Sequence, residues 1–357
     1  MKKLADYLTV IIFFAFCIFP LAGTAFAAST GDSISRSSGS GEYLKNSFPL
    51  KDRWDRLYSV TARSLGQREF GGVYYDEAGG RLIKLFTDYN ENALELSIDA
   101  INKYKKQHSR MPVYSMIVPT ASGVYREDLP AALEAIDQQK LIDDIYYRLD
   151  EDVVPLDVFS GLYAVRDSYI YFRTDDRWTQ HGAYEAYKAA ARKLGASPYG
   201  AENYDIEFTN LPFYGELSKT SYITDIQSDM IDAYRCKYGS YIRSCSAIRE
   251  RQIYTKASVY SRGALQNADK YTFFLGSTDY RSVPIDSTAS EQPRILMIGS
   301  DYSNCFLPFL APNYSCITLV NPAELQGKKL TDIVTPEEYD LTLFLFDVET
   351  FCEGITF

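Results

Sequence analysis

An α/β fold, a mainly parallel sheet flanked by helices, is what this sequence predicts, and three observations carry it. Helical and strand-like patterns alternate along the first half of the chain. The strand candidates are continuous apolar runs, the mark of strands covered on both faces. One of them, Ile295–Ile298, ends at Gly299 and passes into Ser300-Asp301-Tyr302-Ser303-Asn304. In a parallel sheet that end of a strand is where ligands and catalytic groups collect. The loop reads either as the nucleophile loop of a hydrolase or as an ordinary turn whose Ser and Asp satisfy backbone groups.

Met1–Ala27 has the parts of a secretory signal: Lys2 and Lys3, an apolar stretch from Leu8 to Leu21, then Ala25-Phe26-Ala27. An uncleaved membrane anchor is the alternative, but the stretch is shorter than the ~20 residues a spanning helix needs. Residues 28–42 are rich in Ser and Gly and read as a flexible tether. Residues 43–357 are expected to form one domain.

Within it, Gly71–Tyr75 and Arg81–Ile83 form two short strands around a turn at Asp76–Gly80. A helix follows over 90–108, where Leu94, Ile98, Ile101 and Tyr104 share one face and His108 favours the dipole of the last turn. Val113–Val118 is a buried strand ending at Pro119-Thr120-Ala121. The spacing of Leu141, Ile145 and Leu149 predicts a helix over 133–149, and Val153–Val158 the next strand. Tyr163–Arg173 reads as a hairpin turning at Asp167-Ser168. A helix capped by Thr179 comes next, burying Ala183, Tyr187, Ala190, Ala191 and Leu194. Residues 200–290 read as an irregular insertion of partly β character. The sheet pattern resumes at Arg294, and Cys316–Val320 and Leu341–Phe346 supply its last strands.

The formal charge is −10, and −11 once Lys2, Lys3 and Asp6 leave with the secretory segment. So acidic a chain is a poor partner for nucleic acid or anionic lipid. Only His108 and His181 are present, which argues against a zinc hydrolase built on His ligands, and no metal or cofactor is expected. Past the secretory segment the cysteines are Cys236, Cys245, Cys305, Cys316 and Cys352. An odd number leaves at least one unpaired in a monomer, and Cys236 with Cys245 could close a short loop.

Two stretches carry a resemblance. Thr174-Asp175-Asp176-Arg177-Trp178-Thr179 with Gly182-Ala183 resembles the Asp-x-His-Trp-Thr…Gly-Ala signature of the DHHW family. Ile298-Gly299-Ser300-Asp301-Tyr302-Ser303-Asn304 with Leu307-Pro308-Phe309-Leu310 resembles its Gly-Asp-Ser-Tyr…Pro-Phe-Leu block. Val118-Pro119-Thr120, Phe213-Tyr214-Gly215 and Asp269–Gly276 are weaker matches in the same order. That family is related to the alginate O-acetylation proteins. The resemblance therefore implies an SGNH-hydrolase-like (flavodoxin-like) fold and a Ser-His-Asp ester chemistry. The partners it implies are a cell-envelope polysaccharide or acylated glycan and a membrane acyl-transfer protein.

Carried over position by position, the orienting Asp is Asp175, the catalytic His falls on Arg177, and the Ser falls on Asp301 because Ser300 and Asp301 stand in inverted order. Arginine stays protonated at any working pH and cannot act as the base. One expectation is thus a catalytically degenerate member in which Arg177 and Asp301 form an ion pair. The alternative is drift without contact. An active esterase or O-acetyltransferase would need Ser300 or Ser303 as nucleophile, or His181 as base, and a structural surface protein is a third reading. Trp178 either stacks on a sugar or wedges the start of its helix. Tyr302, Asn304 and Tyr214 would line the cleft as substrate-binding residues.

Overall fold

A computed structural model describes residues 51–238, 241–248, 253–277 and 280–357. The secretory segment and the tether expected from the sequence lie outside the described residues. Among the described residues no helix is long and apolar enough to cross a membrane. The chain divides into two units, Met1–Gln67 with Tyr222–Thr224, and Arg68–Ser221 with Asp225–Phe357. The smaller contains helix α1 (Lys51–Ser64), whose Ser59 hydroxyl donates to the Tyr222 carbonyl at 3.1 Å.

The larger unit opens with a three-stranded antiparallel sheet of β1 (Glu69–Phe70), β2 (Val73–Asp76) and β3 (Arg81–Lys84). Gly80, at φ +61°, supplies the left-handed residue the β2–β3 turn requires. Helix α2 (Glu91–Gln107) starts where the Asn90 side chain accepts from the backbone of Asn92 and Ala93. It buries the Leu94, Ile98, Ile101 and Tyr104 face. His108 ends it, 3.0 Å from Glu337.

Strand β4 (Val113–Val118) leads through the short helix α3 (Ala121–Val124) to α4 (Gln138–Arg148). The helix expected from residue 133 starts later because Glu134 is left-handed at φ +50° and Asp137 provides the cap. Strand β5 stops at Val153–Pro155, short of the expected Val158. Pro155 has no N–H to extend the ladder, and Asp157 turns the chain by accepting from the Phe159 N–H at 2.9 Å.

The hairpin expected over Tyr163–Arg173 is also displaced. Phe159–Ala164 is helix α5, and the antiparallel contact forms later, between Tyr171 and Trp178. Helix α6 (Gln180–Ala190) follows, its Thr179 cap accepting from the Gly182 N–H at 3.1 Å. Gly182 is obligatory for packing, since a Cβ there would stand 2.3 Å from the Ile170 carbonyl oxygen.

Residues 200–290 contain β6 (Tyr204–Phe208) and β7 (Asp232–Cys236), which form a two-stranded sheet, and α7 (Glu216–Ser221) between them. They also contain β8 (Ile242–Ile248), β9 (Ile253–Lys256) and β10 (Ser282–Ser287), which join the main sheet. The remaining elements are β11 (Arg294–Gly299), α8 (Ser303–Phe306), β12 (Cys316–Val320), β13 (Leu341–Asp347) and α9 (Val348–Cys352).

The main sheet runs β5-β4-β13-β11-β12-β10-β8-β9. The first five are mutually parallel and the last three antiparallel. The apolar run of β11 is explained by its central place. Ile295 and Met297 enter the core shared with α6, while Leu296 and Ile298 enter the opposite core shared with α2. The Cys236–Cys245 bridge that the spacing allowed is not formed: Cys236 lies on β7 and Cys245 on β8 of the other sheet. The five cysteines among the described residues are all free thiols.

Candidate functional site

Because β4, β13 and β11 are parallel, their C-terminal ends bring Thr120, Asp347, Ser300 and Asp301 to one edge of the sheet. The loop before α6 is laid over that edge by a buried carboxylate the sequence did not single out. Asp229 accepts from the backbone N–H of Arg173 at 2.7 Å and of Thr174 at 2.8 Å, and from the hydroxyls of Thr174 and Tyr169. Gly215 closes the loop from the other side. Its N–H donates to Thr174 Oγ1 at 2.9 Å, and a Cβ on it would come within 2.4 Å of the Asp175 side chain.

Arg177 stands at the centre. Its Nε and Nη2 donate to the two oxygens of Asp175 at 2.6 and 2.9 Å, a two-pronged pair almost closed to solvent. Nη2 also reaches Asp269 Oδ1 at 3.0 Å, and Nη1 reaches Asp301 Oδ2 at 3.2 Å. The guanidinium lies over the Tyr271 ring, 4.0 Å from its centroid. Arg177 and Asp301 therefore do meet, but through one contact, whereas paired N–H donors go to Asp175 and also to Asp269, a third carboxylate that the sequence reading did not assign to the site.

Burial by itself would raise the Asp175 carboxyl and depress Arg177. The mutual attraction and hydrogen bonds outweigh it, so Asp175 is held below the usual carboxylate range and Arg177 well above its ordinary value. For Asp301 burial wins. Its carboxyl is raised, with Asp347 and Asp175 adding to the effect and Arg177 opposing it.

The cleft around this group measures about 280 Å³. Its walls hold eight carboxylates, from Asp175, Asp176, Glu216, Asp269, Asp301, Asp347, Glu349 and Glu353, against three cations, Lys84, Arg177 and Lys219. Each cation is already paired: Lys84 Nζ lies 2.7 Å from Glu349 and Lys219 Nζ 3.0 Å from Glu216. The cleft is therefore electronegative and disfavours anions. Among the described residues no group of three or more His, Cys, Asp or Glu is placed to hold a metal ion.

Asp176, also missed from the sequence, is pushed up to about 7 by burial first and by its neighbour Asp175 second. A carboxyl raised in this way favours the folded state below its unfolded value, near 3.9, and loses that contribution as the pH rises through the folded one. The carbon-13 resonance of the Asp176 carboxyl should titrate near pH 7, and Asp176→Asn should raise Tm more at pH 8 than at pH 5. An ordinary carboxylate midpoint, with no pH dependence of the Asn effect, would contradict this.

The other residues singled out from the sequence fall in several places. Ser300 is buried, and its hydroxyl donates to Asp347 Oδ2 at 3.0 Å rather than toward Asp175 or Arg177. Ser303 is enclosed in α8, its nearest acceptor the Leu345 carbonyl at 3.5 Å. His181 is not among the residues lining the cleft and has its Nδ1 2.9 Å from the Tyr234 hydroxyl. Burial lowers its pKa.

Trp178 has no solvent exposure, which removes it from a sugar-stacking role. Its indole N–H donates to the Tyr302 carbonyl at 3.0 Å and its ring stacks on Phe306. Tyr302 does reach the cleft wall, its hydroxyl donating to the Asp176 carbonyl at 2.7 Å. Asn304 does not line the cleft, because it is buried behind the loop and bonded to the Tyr280 hydroxyl. Tyr214 is exposed and is not part of the wall, although Phe213 and Gly215 are.

The missed wall residues Asp347 and Glu349 sit at the end of β13 and the start of α9. The one available signal was a carboxylate ending the apolar run Leu341–Phe346.

Comparison with known proteins shows the family and the fold. The family described as "DHHW protein" matches residues 86–320. The solved structure of a DHHW family protein from Eubacterium siraeum is 20% identical, with TM-score 0.66, covering 76% of this chain and 88% of that one. PatB1 from Bacillus cereus is 18% identical, with TM-score 0.66, covering 79% of this chain and 97% of that one. A structure of PatB1 with a sulfonyl adduct gives 17% identity and TM-score 0.63, covering 76% of this chain and 95% of that one. No curated protein sequence matches the chain.

Proposed function

The chain belongs to the DHHW family, and from that premise we propose that it is an exported, non-catalytic member that binds a cell-envelope polysaccharide or assists its O-acetyl modification. The observation that carries the reading is Arg177. At the position where the family resemblance puts the catalytic base stands a cation held by Asp175, Asp269 and Asp301. A permanently protonated guanidinium cannot take a proton from a hydroxyl. The position matched to the nucleophile is a carboxylate that serves as one of its partners. The ion cluster holds the Asp175 and Asp301 loops together where the family's hydrogen bond would lie.

The excess of carboxylates in the cleft favours a neutral polysaccharide over a polyuronate. Purified protein is expected to hydrolyse p-nitrophenyl acetate no faster than buffer, and Ser300→Ala and Asp301→Ala should leave that rate unchanged. Treatment with a sulfonyl fluoride should add no mass to the intact chain. Hydrolysis that Ser300→Ala abolishes, or an adduct mapped to Ser300, would overturn the reading.

One observation favours a second reading, an active esterase or O-acetyltransferase. Ser300 is hydrogen-bonded to a carboxylate, Asp347, that lines the same cleft. Combining Arg177→His with Ser300→Asp and Asp301→Ser restores the family's residues. Hydrolysis appearing only in that variant would locate the loss of activity at these positions.

A further inference from the structure

Beyond the cleft, and sharing no wall residue with it, lies a second cavity of about 650 Å³, a volume typical of small-molecule sites. It opens beside β6 and β7. We propose that this cavity binds an organic oxyanion, a carboxylate or phosphate carried on a sugar-sized body. The assignment is independent of the reading of the electronegative cleft.

Three cations line the cavity, Arg235, Lys237 and Arg262, against one carboxylate, Asp205. Among the described residues only Asp205 and Glu207 pair with them, and Glu207, which is not on the wall, is shared. Arg262 Nη2 donates to its two oxygens at 2.6 and 2.8 Å, and Arg235 Nε lies 3.1 Å from Oε2. Lys237 Nζ is 3.8 Å from Asp205 Oδ1. One positive charge is therefore left over at this cavity, in a chain whose formal charge is −10. The side chains of Arg235, Lys237 and Arg262 are 46%, 45% and 63% exposed, so a ligand entering the cavity can reach them. Ion pairs so exposed hold little free energy, and a ligand can displace them.

Hydrogen bonding points the same way. Both Nη groups of Arg235, and Nε and Nη1 of Arg262, have no acceptor among the described residues. The wall residue Ser258 accepts from the Tyr260 N–H at 3.0 Å and gives its own hydroxyl proton to no described residue. The wall is thus rich in unspent donors and poor in acceptors. A guanidinium fork matches a carboxylate or phosphate with two parallel N–H bonds. A neutral ligand would leave the surplus charge in place, and a cation would add to it. Two wall tyrosines are held rigidly beside these donors. Tyr260 stacks on Phe273 with centroids 5.2 Å apart, and Tyr234 stacks on Tyr184 at 5.5 Å. Rings so fixed give the body of a ligand apolar surface at little cost in side-chain entropy.

Calorimetric titration of the full chain with digalacturonate and with glucose 6-phosphate tests the assignment, with cellobiose as the uncharged control. At least one of the two anions is expected to bind, with an affinity that falls as sodium chloride is raised. Binding of one alone identifies carboxylate or phosphate as the group taken. Arg235→Gln combined with Arg262→Gln should weaken that binding about tenfold or more. Asp205→Asn, which removes the wall carboxylate, should tighten it about twofold or more, an outcome that loss of folding cannot imitate. Failure of both anions to bind the unmodified chain overturns the proposal. So does cellobiose binding as tightly as the anions, or an anion affinity that these substitutions leave unchanged.

Discussion

Replacing Arg177 by Ala is expected to lower the unfolding free energy by about 3–5 kcal/mol at neutral pH, the range for removing one partner of a buried ion pair. The loss is not the worth of a contact. It arises because Asp175, Asp269 and Asp301 are left facing one another without their common cation. The pH dependence follows from the same source. In the native chain Asp175 is held below its usual range, so its contribution is present above about pH 4. That contribution is lost as the pH falls through the lower folded value.

In Arg177→Ala the clustered carboxylates bind protons more readily folded than unfolded. The variant should therefore gain stability as the pH is lowered, and the gap to the native chain should narrow. Urea titrations at pH 7.5 and pH 4.5 measure both effects. Adding Asp175→Asn and Asp301→Asn should recover much of the loss. A single variant within about 1 kcal/mol of the native chain at neutral pH would mean that the cluster does not order the site.

Trp178→Ala is the second large effect, about 3–5 kcal/mol for emptying a fully buried aromatic site. The ring joins the loop before α6 to the loop after β11, stacking on Phe306 and donating to the Tyr302 carbonyl. Truncation opens a cavity between them and removes one of that carbonyl's hydrogen bonds. Trp178→Phe keeps most of the volume and loses only the donor, so it should lose about 1–2 kcal/mol. Thermal unfolding of both variants separates packing from hydrogen bonding. If Trp178→Ala proved as stable as the native chain, the wedge role would be untenable.

The parts of the fold that were legible are those where local chemistry and burial agree. The run Ile295–Ile298 could only be a doubly covered strand, and Thr179 followed by Gly182 marked a helix start whose glycine is demanded by the Ile170 carbonyl. Elements failed where tertiary partners decided them. Tyr163–Arg173 has turn residues at Asp167-Ser168, but the pairing moved to Tyr171 and Trp178, where Asp229 grips the intervening loop. The site was legible along single motifs and illegible between them. Asp175, Arg177 and Asp301 stand in recognisable blocks. Glu349 and Lys84 reach the same cleft from distant parts of the chain with no periodicity to announce them, and Asp269 opens a weakly matched block in which nothing marked it as a site residue. Asn304 shows the converse: its block matched the family pattern, yet the turn of α8 carries its side chain inward to Tyr280.

The order of strands in the main sheet has a consequence for how the chain reaches its native state. β13 lies between β4 and β11, so that Thr342 pairs with Val113 and Leu341 with Ile295. Until the last part of the polypeptide is available, β4 has no neighbour on that side and β11 lacks one of its two. Such long-range pairing is slow to form, and the unpaired edges are exposed to association while they wait. Deleting residues 341–357 would split the sheet through its middle instead of trimming an edge. The cleft is incomplete without β13 and α9, because they carry Asp347 and Glu349.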